Sequence, residues 1–125
     1  MKFNNIFLRQ IHPSFSKNKE ITSQAFLPSP KDQGMLSVYD GTITTPFDSY
    51  RHYTQFYHLE SIGVWGVDNS EISQIGLTSF PEPLEESPAH AVIDFNSAPP
   101  KKWRQLARNL KFFALNRGCL FSPAF

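Results

Sequence analysis

Residues 89–117 read AHAVIDFNSAPPKKWRQLARNLKFFALNR, and their period changes part-way along. Ala89, Ala91, Ile93 and Phe95 alternate with His90, Val92 and Asp94, and a period of two predicts a strand. Ser97, Pro99 and Pro100 then open a helix. Trp103, Leu106, Ala107, Leu110, Phe113 and Ala114 form its apolar stripe, and Gly118 follows Arg117 as a C-cap. Such a helix needs a surface on which to lay that stripe. The fold class expected is therefore α+β: a mixed or mostly antiparallel sheet of four to six strands with two longer helices packed against it.

The rest of the chain divides the same way. Asn4 to Ile11 reads as a strand that Pro13 ends. Ser14 to Glu20 is a polar loop, and Ile21 to Leu27 a short strand or extended segment closed by Pro28 and Pro30. Pro28 to Gly34 is a loop. Met35 to Tyr39 is a strand, and Gly41 turns the chain. Thr45 caps a helix that has Pro46 at its first position and runs to about Leu59, with Phe47, Tyr50, Thr54 and Tyr57 on one face. Ser61 to Val67 is a strand whose glycines suit close backbone approach. Asp68 and its neighbours cap a short helix that ends near Gly76. Leu77 to Pro88 reads as an exposed, extended loop. Neither repeats nor a composition shift divides residues 1–125, so one domain is expected.

Composition narrows the function classes. The 125 residues are 40% hydrophobic with twelve phenylalanines, so an aromatic core is expected. Only 18% are charged, below the usual quarter, which suits a neutral surface or one covered by a partner. A net charge of +1 argues against a dedicated nucleic-acid binder. The N-terminus lacks the apolar run of a signal peptide, and no stretch approaches a membrane span. The single Cys119 cannot form an internal disulfide, which suits a reducing, cytoplasmic setting. It reads as a buried, inert thiol, since it follows a helix C-terminus where the dipole raises thiol pKa.

Half of the chain's twelve lysines and arginines lie on the last helix, at Lys101, Lys102, Arg104, Arg108, Lys111 and Arg117. Lys101, Arg104, Arg108 and Lys111 form a basic face that can attract nucleic acid or an acidic partner. The plainer reading is a solvated outer face, or one neutralised by the loop that carries Glu82, Glu85 and Glu86. Four histidines lack metal-ligand spacing: His52 and His58 are six apart, and His12 and His90 lie on separate strands. The motifs imply neither a metal nor a cofactor.

The polar residues of the apolar segments are more informative, because burying them requires partners. Arg9, His12, Ser23, Asp32, Ser37 and His90 are the candidate site. An arginine near a histidine and seryl strands can hold an anion such as a nucleotide diphosphate. The structural alternative pairs Arg9 with Asp32, Asp40 or Asp94 and lets His12 cap a turn.

Four elements occur in order: Arg9-Gln10-Ile11-His12-Pro13, Ser23-Gln24-Ala25-Phe26, Asp32 with Ser37-Val38, and Pro88-Ala89-His90-Ala91. Their order over residues 8 to 95 resembles a family of small uncharacterised bacterial proteins with no settled activity. Asp40-Gly41 and the basic last helix depart from that pattern. The resemblance implies that Arg9, Ser23, Asp32, Ser37 and His90 act as one constellation.

Low charge, many aromatics and no complete catalytic set favour a cytoplasmic interaction protein, immunity-like or an accessory subunit of a conflict or phage-defence system. Its partner would be a protein. One alternative is a nucleotide-dependent enzyme such as a divergent ADP-ribosyl-transfer-like domain. Another is a nucleic-acid-binding accessory that uses the basic helix.

Overall fold

A computed structural model describes residues 6–18 and 20–123. Strands β1 (Ile6–Gln10), β4 (Met35–Asp40), β5 (Val64–Asp68), β6 (Thr78–Pro81) and β7 (His90–Asp94) form a five-stranded sheet in the order β5-β1-β4-β7-β6. Every pairing in it is antiparallel, which makes the fold α+β. The Asn4 start expected for β1 lies outside the described residues. β2 (Ser16–Lys17) and β3 (Glu20–Ile21) make a separate ribbon within the expected polar loop.

The register divides the side chains between two faces. Phe7, Leu36, Val38, Val67, Ala91 and Ile93 share one face with Ala107, Leu110 and Ala114 of α3 (Trp103–Arg117), all buried or nearly so. A 3-10 turn over Pro100–Lys102 leads into α3, and Gly118, at φ 96°, ends it by donating its N–H to the carbonyl of Ala114. The opposite face carries Leu8, Tyr39 and Val64, covered by Tyr50, Tyr53, Leu120 and Phe121. Gly66 lies on this face because a Cβ there would sit 2.7 Å from Ile6 and 3.0 Å from Leu120.

Helix α1 (Pro46–Arg51) begins at the Thr45 cap, whose hydroxyl accepts from the Asp48 N–H at 3.1 Å. It continues as a π turn, His52–Phe56, and stops before Leu59, with His58 left-handed at φ 58°. The wide turn shifts the helix phase, so Tyr53 packs on the sheet beside Tyr50. The regular period had placed Thr54 there. Helix α2 (Asn69–Gln74) starts in a capping box in which Asp68 and Glu71 bond each other's backbone N–H groups.

Three further expectations change. The segment expected to extend from Ile21 to Leu27 folds as a 3-10 turn over Ser23–Phe26, which buries Ala25 and Phe26 against α3. Its local N–H bonds, Ala25 to the carbonyl of Thr22 and Leu27 to that of Gln24, replace a ladder. Residues 78–81, expected in a loop, form the edge strand β6. Its exposed side chains hide the alternation, and Pro81 ends it. Cys119 is exposed, because the chain beyond Gly118 crosses the edge of the sheet; its thiol donates to the carbonyl of Phe121.

Candidate functional site

The β1–β4 ladder stops after Leu8↔Tyr39, although Arg9 and Val38 would pair next. The Arg9 side chain enters this gap. Its Nε donates to the carbonyl of Ala25 at 2.8 Å, and its Nη1 to the carbonyl of Ser37 at 2.9 Å. The 3-10 turn at Ser23–Phe26 supplies the first of these acceptors. The guanidinium thus replaces missing strand bonds and ties three segments together.

One side of Arg9 remains open. No carboxylate lies within 4.0 Å of it among the described residues. Every fully buried side-chain nitrogen and oxygen described has a partner. Nη2 donates to no acceptor among the described residues, so it is not sealed away. Burial lowers the Arg9 pKa, and nearby Tyr53 and Asp32 push it back up. The group remains a cation at neutral pH.

Arg9 lines a half-open cleft of about 260 Å³ whose walls are mainly apolar. Leu8, Tyr39, Tyr53, Tyr57, Leu59 and Leu84 form much of the lining, with Ser37, Ser87 and His90 among the polar groups. Buried Gln10 joins the floor to α1: its amide donates to the Ser49 hydroxyl at 2.9 Å and accepts from the Ser61 hydroxyl at 2.9 Å. Burial raises the Tyr53 pKa, although the Arg9 charge pulls it down. Burial also raises that of Tyr39, and Tyr57 and Tyr53 add to the rise. Both remain phenols and hydrogen-bond donors at neutral pH.

Two histidines sit at the cleft or behind it, each with both ring nitrogens engaged. His52 Nε2 lies 2.8 Å from the carbonyl of Glu86, which can only accept, so Nε2 carries the proton. In that tautomer Nδ1 accepts from the Tyr39 hydroxyl at 2.8 Å. His90 has the other tautomer. Its Nδ1–H donates to the carbonyl of Glu82 at 2.9 Å, with the Glu82 carboxylate 3.4 Å away. Its Nε2 accepts from the Ser37 hydroxyl at 3.2 Å. The acidic loop therefore folds over the cleft face, opposite α3, and does not neutralise the basic helix.

The six candidate residues separate into groups. Arg9, Ser37 and His90 meet in the cleft. Asp32 borders the adjoining depression, which shares Ser37, and accepts from the Ser29 hydroxyl. Asp40 and Asp94 accept from backbone N–H groups in turns. His12 caps the turn at Pro13–Phe15, where its Nδ1 accepts from the Ser14 N–H. Ser23 lies on a separate surface with Lys17 and Lys111. On the basic helix, Lys101, Arg104 and Arg108 are exposed, while Arg117 pairs with Asp68 at 3.0 Å and Glu71 at 2.8 Å. Among the described residues no group of three His, Cys, Asp or Glu could hold a metal. No helix among them is long and apolar enough to cross a membrane.

Sequence reading missed Tyr39, Tyr53, Glu82 and Ser87 as site residues. The aromatics of YRHYTQFY, residues 50–57, were visible, but the π turn that aims Tyr53 inward was not. No protein-family model, curated protein or solved structure matches this chain. The four-element resemblance therefore yields no family assignment.

Proposed function

We propose that the protein binds a small anion carrying one apolar or aromatic group, with Arg9 as its charge partner. The observation that carries this reading is a cation that has no carboxylate partner among the described residues, at the wall of a largely apolar cleft. A guanidinium held by two backbone carbonyls is pre-organised, so little rotamer entropy remains to be lost on binding. The volume of about 260 Å³ suits a ring-sized ligand better than a dinucleotide. That favours a simple anion over the nucleotide substrate of an ADP-ribosyl-transfer-like enzyme.

Phenyl phosphate and benzoate are suitable probes, with neutral benzyl alcohol as control. Saturable shifts of cleft resonances are expected with both anions and weaker ones with the alcohol. Arg9→Lys should weaken the anions selectively, and Tyr57→Ser on the exposed rim should weaken them without touching the Arg9 anchors. Equal binding of the alcohol, or unchanged anion affinity in a folded Arg9→Lys protein, would overturn the proposal.

A second reading, docking of a protein partner, draws on the rim. Ile43, Phe47, Phe56 and Leu59 are each 46–58% exposed and belong to one stretch of chain. Here the protein is an immunity-like or accessory subunit, and Ile43→Ser with Phe56→Ser, neither of which lines the cleft, would abolish the complex while leaving phenyl phosphate binding intact.

A further inference from the structure

We propose that Ser37 is a nucleophile for acyl transfer, with His90 as its general base, and that the cleft hydrolyses small esters. This rests on the anion-binding reading in one respect: the same Arg9 is assigned the negative charge that develops.

The register makes the arrangement possible. In the β4–β7 ladder Ser37 faces Val92 and Tyr39 faces His90, so Ser37 and His90 are diagonal neighbours on the cleft face. Ser37 is exposed and adds nothing to the core. Its Oγ lies 3.2 Å from His90 Nε2, the nitrogen left to accept when Nδ1–H bonds the Glu82 carbonyl. The opposite nitrogen is held by the carbonyl and carboxylate of Glu82 at 2.9 and 3.4 Å. Nucleophile, base and orienting acceptor are thus in line, the constellation that recurs on unrelated folds. A purely structural serine needs only one bond and no oriented imidazole. Arg9 bonds the main-chain carbonyl of Ser37 itself, which anchors a cation at the nucleophile's own peptide unit.

The step balances without any other reactant than water. Ser37 Oγ bonds to the ester carbonyl carbon while its proton passes to His90 Nε2. The charge on the former carbonyl oxygen is met by an N–H of Arg9. Collapse breaks the bond to the alcohol oxygen, which takes the proton from Nε2. Water, giving a proton to Nε2, then attacks the acyl-serine. His90 returns that proton to Ser37 Oγ, and a carboxylic acid leaves and ionises to the carboxylate. Glu82 acts through His90 and is a positioning residue.

The test uses the full chain, a fluorophosphonate probe and p-nitrophenyl acetate. One adduct per chain, mapped to Ser37, is expected, together with saturable ester hydrolysis. Ser37→Ala should remove both. His90→Gln, a second variant judged for folding by circular dichroism, should slow labelling at least ~100-fold. Glu82→Gln should lower kcat while leaving KM for p-nitrophenyl acetate unchanged, because Glu82 orients His90 and does not touch the ester. No adduct in a protein that binds phenyl phosphate would overturn the nucleophile and leave the anion site standing. Labelling that survives Ser37→Ala would overturn it as well. An adduct at Ser37 in a protein that binds neither anion would sustain the nucleophile and overturn the ligand reading.

Discussion

The two faces of the sheet bury their side chains by different means. On the α3 face, aliphatic and aromatic groups meet one another: Leu36, Ile93, Phe95 and Leu110 are at most 2% exposed. On the α1 face, burial is shared with hydroxyls, amides and imidazoles that bond in pairs, and a cleft remains. The first face gains stability from area removed from water, which any well-packed apolar set supplies. The second needs each polar group to keep its named partner, since losing one strands the other. An apolar face tolerates rearrangement; a bonded face holds chemical groups in fixed orientation, and only the latter can present a site.

This contrast can be broken most forcefully at Leu110. Leu110→Ala should cost roughly 2–5 kcal/mol in chemical denaturation, through lost burial plus a cavity. A loss under ~1 kcal/mol would mean that α3 does not anchor its face as described. On the other face, Tyr39→Phe should cost about 1–3 kcal/mol, because the ring stays while His52 Nδ1 loses its donor. Equal stability of the phenylalanine variant would show that this bond adds nothing to packing.

A finer comparison concerns coupling. Ser37→Ala and His90→Gln should deviate from additivity by ~0.5–3 kcal/mol, since the two side chains share a bond. Ser37→Ala combined with Leu110→Ala, on opposite faces, should add. A cycle with the reverse pattern would erase the distinction between the faces.

Acid separates them further. Burial raises the Asp68 pKa, but bonds from the Glu71 N–H and from Ser70, with the Arg117 charge, outweigh it and leave the group below its ordinary 3.8. A carboxylate depressed on folding stabilises the protein above its unfolded value. That stabilisation is lost as pH falls from about there through the lowered folded value. Asp68→Asn should therefore flatten the acid limb of a stability profile below pH ~4, where the wild type falls. The smallest effect belongs to the outer surface of α3. Arg104→Ala with Arg108→Ala should change stability by no more than ~0.5 kcal/mol. Neither protein should shift DNA or RNA at ~0.15 M salt; a shift abolished by the double variant would promote the nucleic-acid reading.

These differences mirror what could be read in the sequence. The stripe on α3, the strands at Met35 and His90, the Thr45 and Asp68 caps and the Gly118 stop each rest on local chemistry: period, capping oxygen, or positive φ. They are legible because neighbours along the chain suffice to specify them. The gap between β1 and β4 is not. It exists because two strands separated by 24 intervening residues cease to pair after Leu8, and no local signal marks the place. Arg9, Ser37 and His90 drew notice as polar residues among apolar ones, and their meeting is long-range. Ser23 and His12 drew notice for the same reason, yet one lines another surface and the other caps a turn. Tyr53 was hidden by the π turn, which breaks the 3.6-residue phase that exposed every other helix face. Glu82 was hidden because it directly follows β6, whose exposed side chains carry no alternation to mark the strand or what comes after it.

The last described stretch has a bearing on how the molecule comes to be made. Beyond Gly118 the backbone pairs with Val64, and the Phe121 ring meets Phe47 and Tyr50 with centroids 5.3 and 5.1 Å apart. A ribosome delivers the chain from its N-terminus, so the rings at 47 and 50 emerge long before the one that wedges them. Until residue 121 clears the exit tunnel, the aromatic wall behind α1 lacks its keystone, and the nascent chain carries an unfinished hydrophobic surface from the emergence of Tyr50 to that of Phe121.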